Sequence, residues 1–162
     1  MIKNLKYFPS TGYGSFDSQV AYRILVLGAP KTGKTSIVKQ FLYDEFSDVH
    51  TETTGDMYCG KFEDISGNVI TFDIEDVGGK YVYNFPSMGT VSLNSADAFL
   101  LVFSLDDPST FEEIYKLKEM INEAKVWSFE NSFTFALEQR PNKSYITGCP
   151  KRFLGYCSLE SN

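Results

Sequence analysis

The chain has few cysteines, which cross-link many small proteins, and it lacks the long apolar segments that anchor proteins in membranes. Its 162 residues include three cysteines, Cys59, Cys149 and Cys157, which are widely spaced and form no CxxC pair. This pattern suggests neither a disulfide framework nor a zinc site and fits a reducing compartment. The first residues lack the apolar core of a signal peptide, and no later apolar run approaches the roughly 18 residues that a membrane span needs. We therefore expect a cytoplasmic protein without a membrane anchor.

Positive charge is also scarce. Fifteen Lys and Arg residues stand against 21 Asp and Glu residues, which gives a net charge of −6. This balance excludes a broad basic surface for nucleic acid or anionic lipid, so any phosphate group must be bound locally. His50 is the only histidine. No Ser or Cys with an Asp partner is arranged around it in the sequence, so a His-based catalytic triad has little support.

The patterning predicts one α/β domain after a flexible N-terminal extension. Residues 1–20 carry turn formers without periodicity. Short apolar runs at 23–27 and 98–103 are typical of strands buried on both faces of a mostly parallel sheet. Residues 69–75 alternate between apolar and polar side chains, and a Ser-Gly-Asn turn joins them to residues 60–64, which predicts a hairpin and one antiparallel edge strand. Apolar residues at helical spacing follow each buried strand, and Ser109 predicts a capping box at the start of the second helix.

A glycine-rich loop follows the first buried strand. Residues Gly28 to Thr35 match the pattern GxxxxGK[ST] and lead directly into an amphipathic helix. In such a loop, backbone N–H groups and the positive end of the helix dipole face a phosphate group. Lys34 would neutralise the β- and γ-phosphate oxygens, and Thr35 would bind Mg²⁺. The loop therefore predicts a nucleotide-binding protein.

A second metal contact is predicted at the end of a neighbouring strand. Asp76 closes the alternating strand and begins a DxxG pattern that ends at Gly79. An acidic residue at this place would contact the magnesium ion. The backbone N–H of Gly79 would reach the γ-phosphate.

Together these motifs resemble the Ras-type small GTPases over residues 21–125. Phe46 resembles the base-stacking residue of the first switch, and Thr53 resembles the threonine that coordinates Mg²⁺ and senses the γ-phosphate. Residues 85–113 are most similar to the dexamethasone-induced Ras-like branch. The resemblance implies a P-loop NTPase fold with helices on both faces of the sheet. It also implies GTP or GDP and Mg²⁺ as cofactors, and effector and regulator proteins that bind the two switch loops.

The same resemblance implies a set of site residues. The nucleotide would be held by Gly28, Ala29, Pro30, Lys31, Thr32, Gly33, Lys34, Thr35, Ser36, Phe46 and Gly79. The metal would be held by Thr35, Thr53 and Asp76. Catalysis would involve Lys34, Thr53 and Lys80, with Lys80 in place of the glutamine that orients the attacking water. A lysine ammonium cannot both donate to and accept from that water, so we expect slow hydrolysis.

The sequence also departs from the family. Pro30 and Lys31 replace two glycines of Ras, which removes one loop N–H and adds a positive charge. The guanine-reading NKxD box is not recognisable, because Asn142 and Lys143 begin such a pattern without its aspartate. We therefore expect a C-terminally incomplete domain with an atypical tail over residues 126–162. Residues 126–137 of that tail fit either a strand or a coil.

Three functions remain open at this point. A GTP-binding signalling switch accounts for most of the motifs. Another P-loop ATPase or kinase would need an acceptor site rich in arginine, and the sequence has only Arg23, Arg140 and Arg152. A GTPase-like chain that no longer cycles, and acts through protein interaction, would follow from the missing C-terminal motifs.

Overall fold

The computed structural model describes residues 6–9, 21–45, 52–63, 69–125, 133–140, 143–149 and 156–157. Phe46 and His50 lie outside the described residues. The strands are β1 (Lys6–Pro9), β2 (Ala21–Leu27), β3 (Gly55–Glu63), β4 (Val69–Val77), β5 (Ala98–Ser104), β6 (Phe133–Arg140), β7 (Lys143–Cys149) and β8 (Tyr156–Cys157). The helices are α1 (Lys34–Tyr43), α2 (Tyr81–Asn84), α3 (Pro86–Ser95) and α4 (Pro108–Ala124).

The described strands form one mixed sheet in the order β1-β3-β4-β2-β5-β6-β7-β8. The four central strands, β4, β2, β5 and β6, run parallel. β3 pairs antiparallel with β4 in the predicted hairpin. The α/β class with a parallel centre is therefore confirmed. The structure adds antiparallel strands, β1 beyond β3 and β7 and β8 beyond β6.

Alternate residues of β2 explain why helices cover both faces of the sheet. Leu25 and Leu27 pack with residues of α2, α3 and α4, whereas Val26 packs on the other face with Val38 of α1. Successive side chains of a strand point to opposite faces, so a strand covered on both sides must be apolar throughout. The helices on both faces are thus confirmed.

The start of α4 differs from the predicted capping box. Asp107 is the N-cap, and its carboxylate accepts a hydrogen bond from the Ser109 N–H at 3.0 Å. Pro108 occupies the first helical turn, where its missing N–H leaves no hydrogen bond unmade. The capping-box prediction at Ser109 was wrong, because an aspartate two residues earlier already satisfies the first free N–H groups.

β5 pairs along its second edge with a strand from the C-terminal region that the sequence analysis could not assign. β6 runs parallel to β5, with Ala98 opposite Phe133 and Ser104 opposite Gln139. The sequence left residues 126–137 open between a strand and a coil. The structure shows a strand for the last part of this range, as the beginning of β6. Among the residues described, no helix is both long and apolar enough to span a bilayer.

Candidate functional site

The glycine-rich loop lies at the carboxyl ends of the parallel strands, between β2 and α1. Gly28 has a φ of 150°, and a Cβ at this position would collide with the carbonyl oxygen of Val102 in β5. Gly33 has a φ of 81° immediately before the helix. Position 28 requires glycine because a Cβ would meet the backbone of β5, and position 33 favours glycine because the chain enters α1 through left-handed backbone.

Lys34 is the first residue of α1, and its side chain returns across the loop. Its ammonium donates hydrogen bonds to the carbonyls of Gly28, at 3.0 Å, and Ala29, at 2.9 Å. Burial lowers the pKa of this ammonium, and the nearby carboxylate of Asp76 opposes the shift. Thr32 also donates to the Ala29 carbonyl, at 2.9 Å. The loop is therefore fixed by its own side chains, with a positive charge held at its centre.

Three oxygen-bearing side chains meet beside this lysine. The Thr35 hydroxyl donates to Asp76 Oδ2 at 2.5 Å and lies 2.6 Å from the Thr53 hydroxyl. Because Thr35 has one hydroxyl proton and gives it to Asp76, Thr53 must donate to Thr35. The residues come from α1, β4 and the segment before β3, so the fold brings together all three predicted metal ligands.

The second oxygen of Asp76 has no hydrogen-bond partner. Asp76 is fully buried, and its Oδ1 is one of two buried side-chain atoms without a partner among the described residues. Burial raises the pKa of the Asp76 carboxyl, whereas the hydrogen bond from Thr35 and the charge of Lys34 oppose the rise. A buried carboxylate oxygen without a donor is costly and indicates a site for an absent cation or water.

The segment after β4 packs directly against the loop. A Cβ at Gly79 would lie 2.6 Å from Pro30 Cα and 2.7 Å from the Ala29 carbonyl carbon. A Cβ at Gly78 would lie 2.7 Å from the Thr53 carbonyl oxygen. Such close approaches leave room only for glycine. The two predicted switch segments therefore touch each other, and the second also touches the loop.

A cleft of about 1270 Å³ opens over these residues. Most of the predicted site residues line it: Pro30, Lys31, Gly33, Lys34, Thr35, Ser36, Thr53, Gly79 and Lys80. Of the other predicted site residues that the structure describes, Gly28, Thr32 and Asp76 are buried and Ala29 is half-buried, and Asp76 accepts a hydrogen bond from Thr35, which lines the cleft.

Several cleft residues were missed by the sequence analysis. Tyr81 and Asn84 of α2, Phe85 between the two helices, Met88 of α3 and Lys39 of α1 also line the cleft. The only available signal was their position just after Gly79, which does not reveal that this segment folds into two short helices. A hydrogen bond links α3 to the sheet. The Ser92 hydroxyl donates to the carboxylate of Glu75 at 2.8 Å, and Glu75 directly precedes Asp76 in β4.

Comparison with known proteins gives consistent matches to one family. The family model described as "Ras family" matches residues 23–137. The human GTP-binding protein Rhes is 40% identical over 111 residues, which are 68% of this chain and 41% of that protein. The GTP-binding protein drn-1 of Caenorhabditis elegans is 33% identical over 64% of this chain and 47% of that protein. Human GTP-binding protein Di-Ras1 is 33% identical over 64% of this chain and 51% of that protein. The aligned region thus spans about two fifths to one half of these relatives.

Proposed function

The chain belongs to the Ras family, and on this premise we propose that it is a Mg²⁺-dependent, GTP-binding signalling switch with slow intrinsic hydrolysis. The observation that carries the proposal is the meeting of Thr35, Thr53 and Asp76 beside the buried ammonium of Lys34. An acidic chain can bind a triphosphate only where positive charge and backbone N–H groups are concentrated. The loop supplies both.

The residues present suit a phosphate chain. The left-handed backbone at Gly33 and the start of α1 direct N–H groups to one side of the loop. Lys34 would bind the phosphate oxygens, and Pro30 would contribute no N–H donor. The Lys34 ammonium donates to two loop carbonyls. We infer that phosphate oxygens compete for those donors.

The residues also suit a magnesium ion. Mg²⁺ prefers hard oxygen ligands. The hydroxyls of Thr53 and Thr35 and the carboxylate of Asp76 follow one another through hydrogen bonds and supply such oxygens. The unpartnered Oδ1 of Asp76 adds an acceptor that a hydrated cation would satisfy. Thr35, Thr53 and Asp76 would hold the ion, which neutralises charge on the β- and γ-phosphates.

Slow hydrolysis follows from Lys80. It precedes α2 and lines the cleft, at the family position of the glutamine that orients the attacking water. Its ammonium has three donors and no acceptor, so it neutralises phosphate charge without taking a proton from water. Lys34 and Thr53 would retain their roles at the phosphates. The chain would then remain in its triphosphate form for longer than a glutamine-bearing relative.

The switch would act through the contact between Thr53 and Gly78. Both segments border the cleft, so the terminal phosphate would hold them in place and its loss would release them. Phe85 and Met88, which are 53% and 58% exposed, line the same cleft a few residues after Gly78. We propose that effector and regulator proteins bind there, in the cytoplasm.

The division into a G domain at 21–125 and a tail at 126–162 stays a prediction, and β6 carries the sheet beyond residue 125.

A calorimetric titration tests the proposal. Wild-type chain is titrated with GTP, GDP and ATP in Mg²⁺ and in EDTA, beside Lys34→Ala and the control Lys61→Ala. Lys61 is exposed on β3 and pairs with Thr71, five residues along β4 from Asp76 and about 17 Å away. We expect wild type and Lys61→Ala to bind only with Mg²⁺, and Lys34→Ala not to bind. Unchanged GTP affinity in Lys34→Ala would refute the phosphate-loop assignment.

A further inference from the structure

Lysines concentrate in the cleft of a chain that is acidic overall. The net charge of the whole chain is −6. The cleft is nevertheless lined by Lys31, Lys34, Lys39 and Lys80 against only Glu45 and Glu52 among its described residues. Clefts that carry one sign of charge focus the field of the protein and attract the opposite charge. The cleft therefore favours a ligand with several negative charges.

Two of these lysines come from segments that meet. Lys31 follows Pro30 in the loop and Lys80 follows Gly79, and the backbones of Pro30 and Gly79 are in contact. Lys31 holds a φ of 63°, a left-handed conformation that is unfavourable for a residue with a side chain. A residue with strained backbone therefore lines the cleft. Such strain gathers at ligand sites.

Among the described residues, neither ammonium forms an ion pair. Lys31 and Lys80 are exposed and form no ion pair with a carboxylate in the part of the chain that the structure describes. Lys34 differs, because loop carbonyls already accept its hydrogen bonds. Two unpaired cations that line one cleft beside a phosphate loop remain available for a ligand anion.

We propose that Lys31 and Lys80 bind the terminal phosphate of a nucleoside triphosphate and make the chain prefer triphosphate over diphosphate. This inference rests on the proposed function and deepens it: the loop N–H groups and Lys34 would hold the β-phosphate that both nucleotides share, whereas only the triphosphate offers a γ-phosphate to Lys31 and Lys80. A diphosphate has no group at the third position. The two lysines then contribute to affinity only when the γ-phosphate is present.

Calorimetry with a non-hydrolysable GTP analogue (β,γ-imido) and with GDP tests the preference. We compare wild type, the double variant Lys31→Gln/Lys80→Gln, and Lys61→Gln, which removes one charge outside the cleft. The double variant should lose roughly tenfold in analogue affinity for each lysine, as expected for charge-assisted hydrogen bonds, and less than about threefold in GDP affinity. Lys61→Gln should keep the wild-type ratio. An unchanged ratio of the two affinities in the double variant would overturn the inference.

Inorganic tripolyphosphate and pyrophosphate separate this inference from the proposed function. If wild type binds neither nucleotide, the proposed function fails, and the two inorganic ligands still report on the lysines. A preference for tripolyphosphate that the double variant loses supports the lysine pair. Equal binding of both ions by wild type overturns it. Thermal unfolding of all three proteins shows whether the variants are folded, and exposed Lys→Gln changes should shift the midpoint by less than about 2 °C.

Discussion

The contact between Gly79 and the phosphate loop predicts the effect of a single added methyl group. In Gly79→Ala the new Cβ would lie 2.6 Å from Pro30 Cα and 2.7 Å from the Ala29 carbonyl carbon. Ordinary carbon contacts lie at about 3.5 Å, so one backbone must retreat by about 1 Å. Both neighbours are main-chain atoms, which cannot rotate away. Overpacking of this kind costs about 1–3 kcal/mol.

The measurement pairs thermal unfolding with nucleotide binding. A chain of this length loses about 2–4 °C in melting temperature per kcal/mol, so Gly79→Ala should melt roughly 5 °C lower than wild type. It should also bind the GTP analogue more weakly while it retains GDP, because under the proposed function the displaced segment would contact the terminal phosphate.

Gly55→Ala is the matched control. A Cβ at Gly55 would meet nothing within 4 Å. The change there reduces only the freedom of the unfolded chain, so stability should stay the same or rise by about 0.4–1 kcal/mol. If Gly79→Ala matches Gly55→Ala in both melting temperature and analogue affinity, the Gly79 segment does not rest on the loop as described.

Three further outcomes are expected. Lys80→Gln should accelerate single-turnover phosphate release, because a glutamine amide can both donate to and accept from the attacking water; a slower release would contradict the assignment. Phe99→Ala should destabilise the chain by about 3–5 kcal/mol in denaturant unfolding, because Phe99 is completely buried in the cluster shared by β5 and α4; a loss under about 1 kcal/mol would show a looser core. GTP should be preferred over ATP by less than about a thousandfold, roughly 4 kcal/mol, because no aspartate in an NKxD context is present to accept from guanine; a larger preference in calorimetry would reveal another base-reading group.

Local chemistry made the centre of the site predictable from the sequence. An apolar strand, a glycine-rich loop and a helix follow one another without interruption, so the placement of Lys34 and Thr35 depends on only a few bonds. Asp76 was predictable because the alternation of β4 ends there, and the carboxyl ends of parallel strands lie at one edge of the sheet. These inferences need only strand direction and turn geometry.

Features that depend on distant residues were not predictable. The proximity of Gly79 to Pro30 joins positions 49 residues apart, and no periodicity reports it. The second neighbour of β5, beyond β2, is β6, whose residues carry a pattern that fits strand and coil alike. The N-cap of α4 was misassigned although it is local, because Ser109 and Asp107 are both good capping residues and only the entry of the chain from β5 selects between them.

Three irregular groups lie close together at one edge of the sheet, whereas Asp44, Thr71 and Lys125 show the same irregularities singly elsewhere. Their combination at one place argues for a ligand there. Lys31 has left-handed backbone, Asp76 has a buried oxygen without a donor, and burial lowers the pKa of Lys34. Away from this edge, the clusters on both faces of the sheet consist of apolar side chains. Substitutions that removed the backbone strain, the unpaired oxygen and the buried charge at these three positions would be expected to increase the stability of the chain. The persistence of these features supports a site at which an anion and a cation would together pair with the lysines and the aspartate.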